Sequence, residues 1–102
     1  MGELRAVARA AEIPPGSARC IEVEGRKIAL FNVEGRFFAM DDTCTHRGGP
    51  LSQGAVKGHV VTCPWHGAQY DLETGNVLRP PAPRGVASYR VVVEGDQIKL
   101  DL

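Results

Sequence analysis

Two short stretches set a thiol beside an imidazole: Cys44-Thr45-His46 and Cys63-Pro64-Trp65-His66. Thiolate and neutral imidazole are the side chains that bind soft and borderline metals, so two such half-sites read as one centre with four protein ligands. Two chemistries suit that donor set. A structural zinc ion accepts two cysteines and two histidines, but the common finger groups like ligands, C-x2-4-C with H-x3-5-H, whereas each half-site here mixes them. The neighbouring residues suit an iron-sulfur centre better than a bare ion. Arg47-Gly48-Gly49-Pro50 follows the first half-site and Gly67 the second, and residues without bulk let backbone amides come close to sulfur. Sulfide and thiolate carry negative charge that such donors stabilise.

Strands must position these half-sites. Val23-Glu24-Gly25, Val33-Glu34-Gly35 and Val93-Glu94-Gly95 each lie between short apolar-polar segments, the pattern of hairpins whose turn needs a residue tolerant of positive φ. Strands are predicted over 4–9, 18–23, 26–33, 36–41, 87–94 and 97–102, with shorter ones at 58–62 and 68–71. Pro14, Pro15 and Gly16 close the Ala-rich stretch 6–11, which leaves room for a single helical turn and no long helix. The segment 43–85 differs from its flanks, holding all three histidines, two of the three cysteines and most of the prolines. The expectation is one all-β domain over 1–102: a framework of 1–42 and 86–102, with a metal-binding insertion at 43–85. A turn at Glu94-Gly95 would return the chain to the first four strands and put both termini on one sheet system.

The composition agrees. With 102 residues, 43% hydrophobic content, twelve glycines, seven prolines and zero formal net charge, the chain suits a single turn-rich core. An odd cysteine count, and no basic segment leading into an apolar one, point away from a disulfide framework and towards a reducing cytoplasm. No apolar run reaches the length of a membrane span and no basic block offers a phosphate-binding face, so neither a membrane nor nucleic acid is expected as a partner.

Taken together, Cys44-Thr45-His46-Arg47-Gly48-Gly49-Pro50-Leu51 and Cys63-Pro64-Trp65-His66-Gly67-Ala68-Gln69-Tyr70-Asp71 resemble the two cluster-binding boxes of Rieske proteins. The motifs cover about 43–83, and the strand pattern around them is similar to that family's two-sheet basal domain. The resemblance implies an antiparallel β-sandwich with an inserted cluster-binding subdomain and one 2Fe-2S cluster. By matching positions, Cys44 and Cys63 hold the iron that stays ferric, and His46 and His66 hold the iron that accepts the electron. Replacing two thiolates by neutral imidazoles brings the oxidised unit close to neutrality, so an added electron costs less. Rieske centres accordingly span about −150 to +300 mV where plant-type clusters lie near −400 mV.

Departures from the high-potential branch of that family lower the expectation. Gly49 and Trp65 occupy the positions of its extra disulfide, and Ala68 stands where it has a serine hydroxyl, while Tyr70 matches its tyrosine. Fewer donors to sulfur disfavour the reduced form. Arg79-Pro80-Pro81-Ala82-Pro83 matches the proline-rich loop that covers the cluster, a stiff segment poor in amides that would keep water away.

Other residues have plainer readings. Cys20, on a predicted strand, reads as a small buried hydrophobe, His59 as a solvated side chain, and Trp65 as packing over its loop. Arg47, Arg79 and Arg84 read either as a solvated rim or as a docking patch for an acidic partner. A ring-hydroxylating oxygenase needs a second, mononuclear iron, typically on two histidines and a carboxylate. Once His46 and His66 are assigned, only His59 is left. The chain is therefore expected to be a non-catalytic, monomeric ferredoxin passing single electrons from a flavin-containing reductase to a terminal oxygenase. The alternatives are a small Rieske subunit of a larger reductase, such as assimilatory nitrite reductase, and a redox sensor.

The reduction potential is expected in the lower part of the Rieske range, below about +200 mV. Above the pKa of a ligand histidine's free nitrogen it should fall by about 59 mV per pH unit per proton. A redox titration repeated from pH 6 to 10 measures both.

Overall fold

Turn chemistry sets the register of the framework. The computed structural model describes residues 4–43, 49–65, 67–79 and 85–101. At Glu24-Gly25 and Glu34-Gly35 both residues take positive φ, 51° and 78° in the first turn and 53° and 92° in the second. This is the two-residue loop whose twist matches that of its strands. Val23 then pairs with Arg26 and Val33 with Arg36, so β2 (Ala18–Val23), β3 (Arg26–Val33) and β4 (Arg36–Asp41) form an antiparallel meander at the predicted bounds.

At the third Val-Glu-Gly stretch the strands end and begin at the expected residues, Glu94 and Gln97, but the turn between them is one residue on from Glu94-Gly95. Glu94 still pairs with Gln97 at the end of its strand, so the turn is Gly95-Asp96, with φ of 59° at Gly95. The reason lies outside the hairpin. Asp96 accepts hydrogen bonds from the Ala11 amide at 3.0 Å and from Arg9 Nε at 2.9 Å, and its carbonyl accepts from the Ala10 amide at 2.7 Å. Those bonds anchor the tip to the 3-10 turn Ala10–Glu12, which is the short turn expected in the Ala-rich stretch.

The predicted strand 87–94 is two strands. β9 (Ser88–Tyr89) pairs with β4, and after Arg90 the chain enters β10 (Val91–Glu94), which pairs with β11 (Gln97–Asp101) in another sheet. β1 (Leu4–Arg9) lies on the other side of β11. The return of the chain is thus divided: β9 rejoins the meander, in the order β2-β3-β4-β9, while β10 and β11 join β1 alone, in the order β1-β11-β10.

A third antiparallel sheet, in the order β5-β6-β7-β8, contains β5 (Ala55–Lys57), β6 (Val60–Thr62), β7 (Gln69–Asp71) and β8 (Val77–Arg79). β6 and β7 fall within predicted strands, with Gly58 and His59 forming a turn. The edge strands β5 and β8 are not legible in the sequence, because each is three residues long and largely exposed, too short to show alternation.

β3 explains how the layers hold together. Ile28, Ala29, Leu30 and Phe31 are all buried, an apolar run without alternation, because both faces of the strand are covered. Ile28 and Leu30 share one core with Ile13, Ala39, Ile98 and Leu100, beneath the β1-β11-β10 sheet. Ala29 and Phe31 face the other way, into a core with Phe38, Met40, Leu51, Val61, Tyr70 and Leu72, beneath the third sheet. The fold is an all-β stack of antiparallel sheets, with no α-helix among the described residues. None of their helices is long and apolar enough to cross a membrane.

Tyr89 fastens β9 to β4 by donating its hydroxyl to Asp41 Oδ1 at 2.5 Å. Burial, and then this bond, hold its pKa above the ordinary tyrosine value of 10.0. The unfolded chain therefore ionises first, and the associated stability is full below about pH 10 and is lost as pH rises beyond it. Tyr89→Phe is expected to cost about 1 kcal/mol at neutral pH and to flatten the alkaline decline, as read from urea unfolding at pH 7 and pH 10.5.

Candidate metal centre

Each half-site is carried on a loop whose base is pinned by the backbone. The first leaves β4 and returns at the 3-10 turn Leu51–Gln53. Thr43 bridges to Pro50, and the Leu51 amide donates to the Asp42 carbonyl at 2.7 Å. The Ser52 amide donates to Asp42 Oδ1, also at 2.7 Å. The second half-site is the tip between β6 and β7, closed at its base by the Cys63 amide donating to the Ala68 carbonyl at 2.7 Å. Below it, Gln69 Nε2 donates to Thr62 Oγ1 at 3.2 Å.

The two loops meet at Gly49. A Cβ added to this buried glycine would lie 3.1 Å from Trp65 Cγ and 2.6 Å from Cys63 Sγ, the latter closer than Cβ atoms come to another atom, so glycine lets the first loop's backbone reach the second loop's sulfur. Cys63 itself is 2% exposed, and Ala68, which faces it across the base of the loop, and Tyr70 are fully buried. This arrangement fits a cluster. It joins a thiol ligand candidate from one half-site to the backbone at Gly49 beside the other, in a buried setting where negative sulfur needs close donors.

Cys63 is the ligand candidate that the structure describes; Cys44, His46 and His66 lie outside the described residues, as do Arg47, Arg84 and positions 80–83. Arg79 ends β8 and is exposed. Trp65 packs on Gly49, as expected of a loop-covering residue, yet stays 49% exposed.

Two readings need revision. Cys20 is exposed, not buried, because β2 is the outer strand of its sheet. Its pKa is nevertheless raised, first by desolvation and then by the charge of Asp42 and a hydrogen bond to it. His59 is exposed as expected but is not merely solvated. Its ring meets Phe38 edge-on at 5.7 Å, and Nδ1 lies 3.6 Å from Glu73 Oε1. Arg36 also reaches Glu73, at 3.6 Å, and stacks over Phe38 at 5.1 Å. These side chains link the β3–β4 hairpin to the third sheet, an association of residues far apart in sequence that local patterns do not show. The same holds for Asp42, whose bonds reach ten residues ahead.

Residues 3–90 match the family described as the Rieske [2Fe-2S] domain. The chain belongs to the Rieske family. It is 37% identical over 91 residues to the ferredoxin component of a naphthalene 1,2-dioxygenase system from Pseudomonas aeruginosa, covering 89% of this chain and 88% of that one. It is 41% identical over 93 residues to a 3-phenylpropionate/cinnamic acid dioxygenase ferredoxin subunit from Shigella flexneri, covering 90% and 87%. In a solved complex of reduced oxygenase and oxidised ferredoxin of carbazole 1,9a-dioxygenase, one chain superposes with a TM-score of 0.88 at 29% identity, covering 96% of this chain and 92% of that one. Membership of the Rieske family makes one 2Fe-2S cluster the cofactor of this chain.

Gly49→Ala is expected to lower iron per chain, because the methyl group would occupy space now held by Cys63 Sγ and the Trp65 side chain. Far-ultraviolet circular dichroism should stay that of a β protein, since Gly49 lies outside every strand. Iron analysis and the visible dichroism of the cluster measure the effect.

Proposed function

We propose that this chain is a Rieske-type ferredoxin, a non-catalytic carrier that takes single electrons from a flavin-containing reductase and delivers them to a terminal oxygenase acting on an aromatic or similar substrate. The observation that carries this reading is the meeting of Gly49 with Cys63, in a chain that aligns along nearly nine-tenths of its length with ferredoxin components of dioxygenase systems. Cys44 and Cys63 as thiolates, and His46 and His66 as neutral imidazoles, are the proposed ligands. Segment 43–85 is the proposed cluster-binding unit on a framework of 1–42 and 86–102.

When bound, the cluster would supply a one-electron redox centre. The protein's part is to hold and insulate it. Gly49 admits backbone to the sulfur of Cys63, and buried Ala68 offers no hydroxyl, which keeps the reduced form less stabilised. Trp65 shields one side of the second half-site while leaving half its surface to a partner. As ligands, His46 and His66 would each keep one ring nitrogen free of the metal, where a proton could be held or released with redox state. The cytoplasm, which keeps thiols reduced, is the proposed compartment.

Electron paramagnetic resonance of the dithionite-reduced protein, with iron and zinc counted on the same sample, tests the proposal. The expected result is a rhombic signal with the lowered average g of a histidine-ligated cluster, at about two irons per chain. Zinc without a signal would overturn it.

A further inference from the structure

Two polar side chains are buried among the described residues, Asn32 and Asp42, each 5% exposed. Asn32 ties the framework to itself: its Nδ2 donates to the Ile13 carbonyl at 2.7 Å and its Oδ1 accepts from the Gly35 amide at 2.8 Å. Asp42 is engaged differently. Its amide donates to the Lys27 carbonyl at 3.0 Å, fixing it to β3, while its carbonyl and Oδ1 receive the amides of Leu51 and Ser52. One residue therefore grips both the exit and the return of the loop that carries Cys44-Thr45-His46, and the Thr43 to Pro50 bridge closes the loop just above it. The charge of the same carboxylate helps to raise the pKa of Cys20, on β2.

A buried carboxylate is costly unless its oxygens are satisfied, and an apolar residue would pack here without that cost. We propose that Asp42 is a positioning residue for the cluster: it latches the 3-10 turn Leu51–Gln53 to the end of β4, so that Cys44 and His46 are presented from a loop of fixed span and Gly49 is held against Cys63. The inference rests on the assignment of Cys44 and His46 as ligands. What Asp42 supplies is an acceptor oxygen aimed at the Ser52 amide, so an amide in its place should serve and a methyl group should not.

The test uses the cluster-loaded protein and three variants, Asp42→Ala, Asp42→Asn and Asn32→Ala. Each is read for the rate of cluster loss to an iron chelator, the g values of the reduced cluster and the thermal midpoint. Asp42→Ala is expected to lose its cluster about tenfold faster or more and to shift or broaden its g values, with Asp42→Asn close to the unaltered protein in both. Asn32→Ala removes the other buried polar latch and should lower the thermal midpoint without moving either cluster property. If Asp42→Ala only lowers the midpoint, as Asn32→Ala does, and keeps the original g values and loss rate, Asp42 is merely structural and the proposal fails. Should Asp42→Ala not fold, Ser52→Pro deletes the same hydrogen bond from the donor side, with the same expected and overturning results. Absence of a Rieske signal from the unaltered protein would instead defeat the ligand assignment itself, whatever the variants do.

Discussion

The approach of Gly49 to Cys63 is the constraint on which the rest of the architecture turns. Two loops from separate parts of the chain come so close that a single methyl group would overlap a sulfur atom. Such an approach is useful only if it is reproducible. Each loop is pinned at its base, the first through Asp42, Thr43, Leu51 and Ser52, the second through Cys63 and Ala68. The pinned bases stand in turn on β4 and β6, whose registers with β3 and β5 are set by the tight turns Glu34-Gly35 and Gly58-His59.

Packing keeps the two bases in one rigid piece. The third sheet does not hang from the framework by its connections alone: Val61, Tyr70 and Leu72 share a core with Ala29, Phe31, Phe38 and Met40 of the meander. Burying side chains of that size stabilises by roughly 1.5–3 kcal/mol each relative to exposure, far more than the exposed Arg36–Glu73 pair can add. The Arg36, Phe38, His59 and Glu73 group therefore serves to align the hairpin with the sheet more than to hold it there. Leu51 belongs to the same core, so the turn that ends the first loop is anchored by an apolar side chain as well as by Asp42.

The electrostatic setting follows from the same contacts. A Rieske centre differs from an all-cysteine cluster in carrying less negative charge, and the protein then adjusts how well the remaining sulfur charge is met by donors. Among the described residues, buried Cys63 and Ala68 lie on the inner side of the site and half-exposed Trp65 on the surface. That asymmetry suits a carrier whose electron must leave through the surface.

Much of this architecture is legible in the order of residues. The all-β class, the strands of the meander and the two mixed half-sites follow from it, because strand alternation, two-residue turns and paired cysteine and histidine are short-range patterns. The same patterns mislead where distant groups intervene. The last hairpin turns at Gly95-Asp96 because Asp96 is held by Arg9, Ala10 and Ala11, and the strand after residue 87 divides because its two halves serve different sheets. The residue types available for chemistry were thus determined by the sequence alone. Which of them are buried, that Cys20 faces solvent, that Asp42 closes a loop and that Gly49 must be glycine were decided by tertiary structure, since each depends on atoms brought together from positions far apart in the chain.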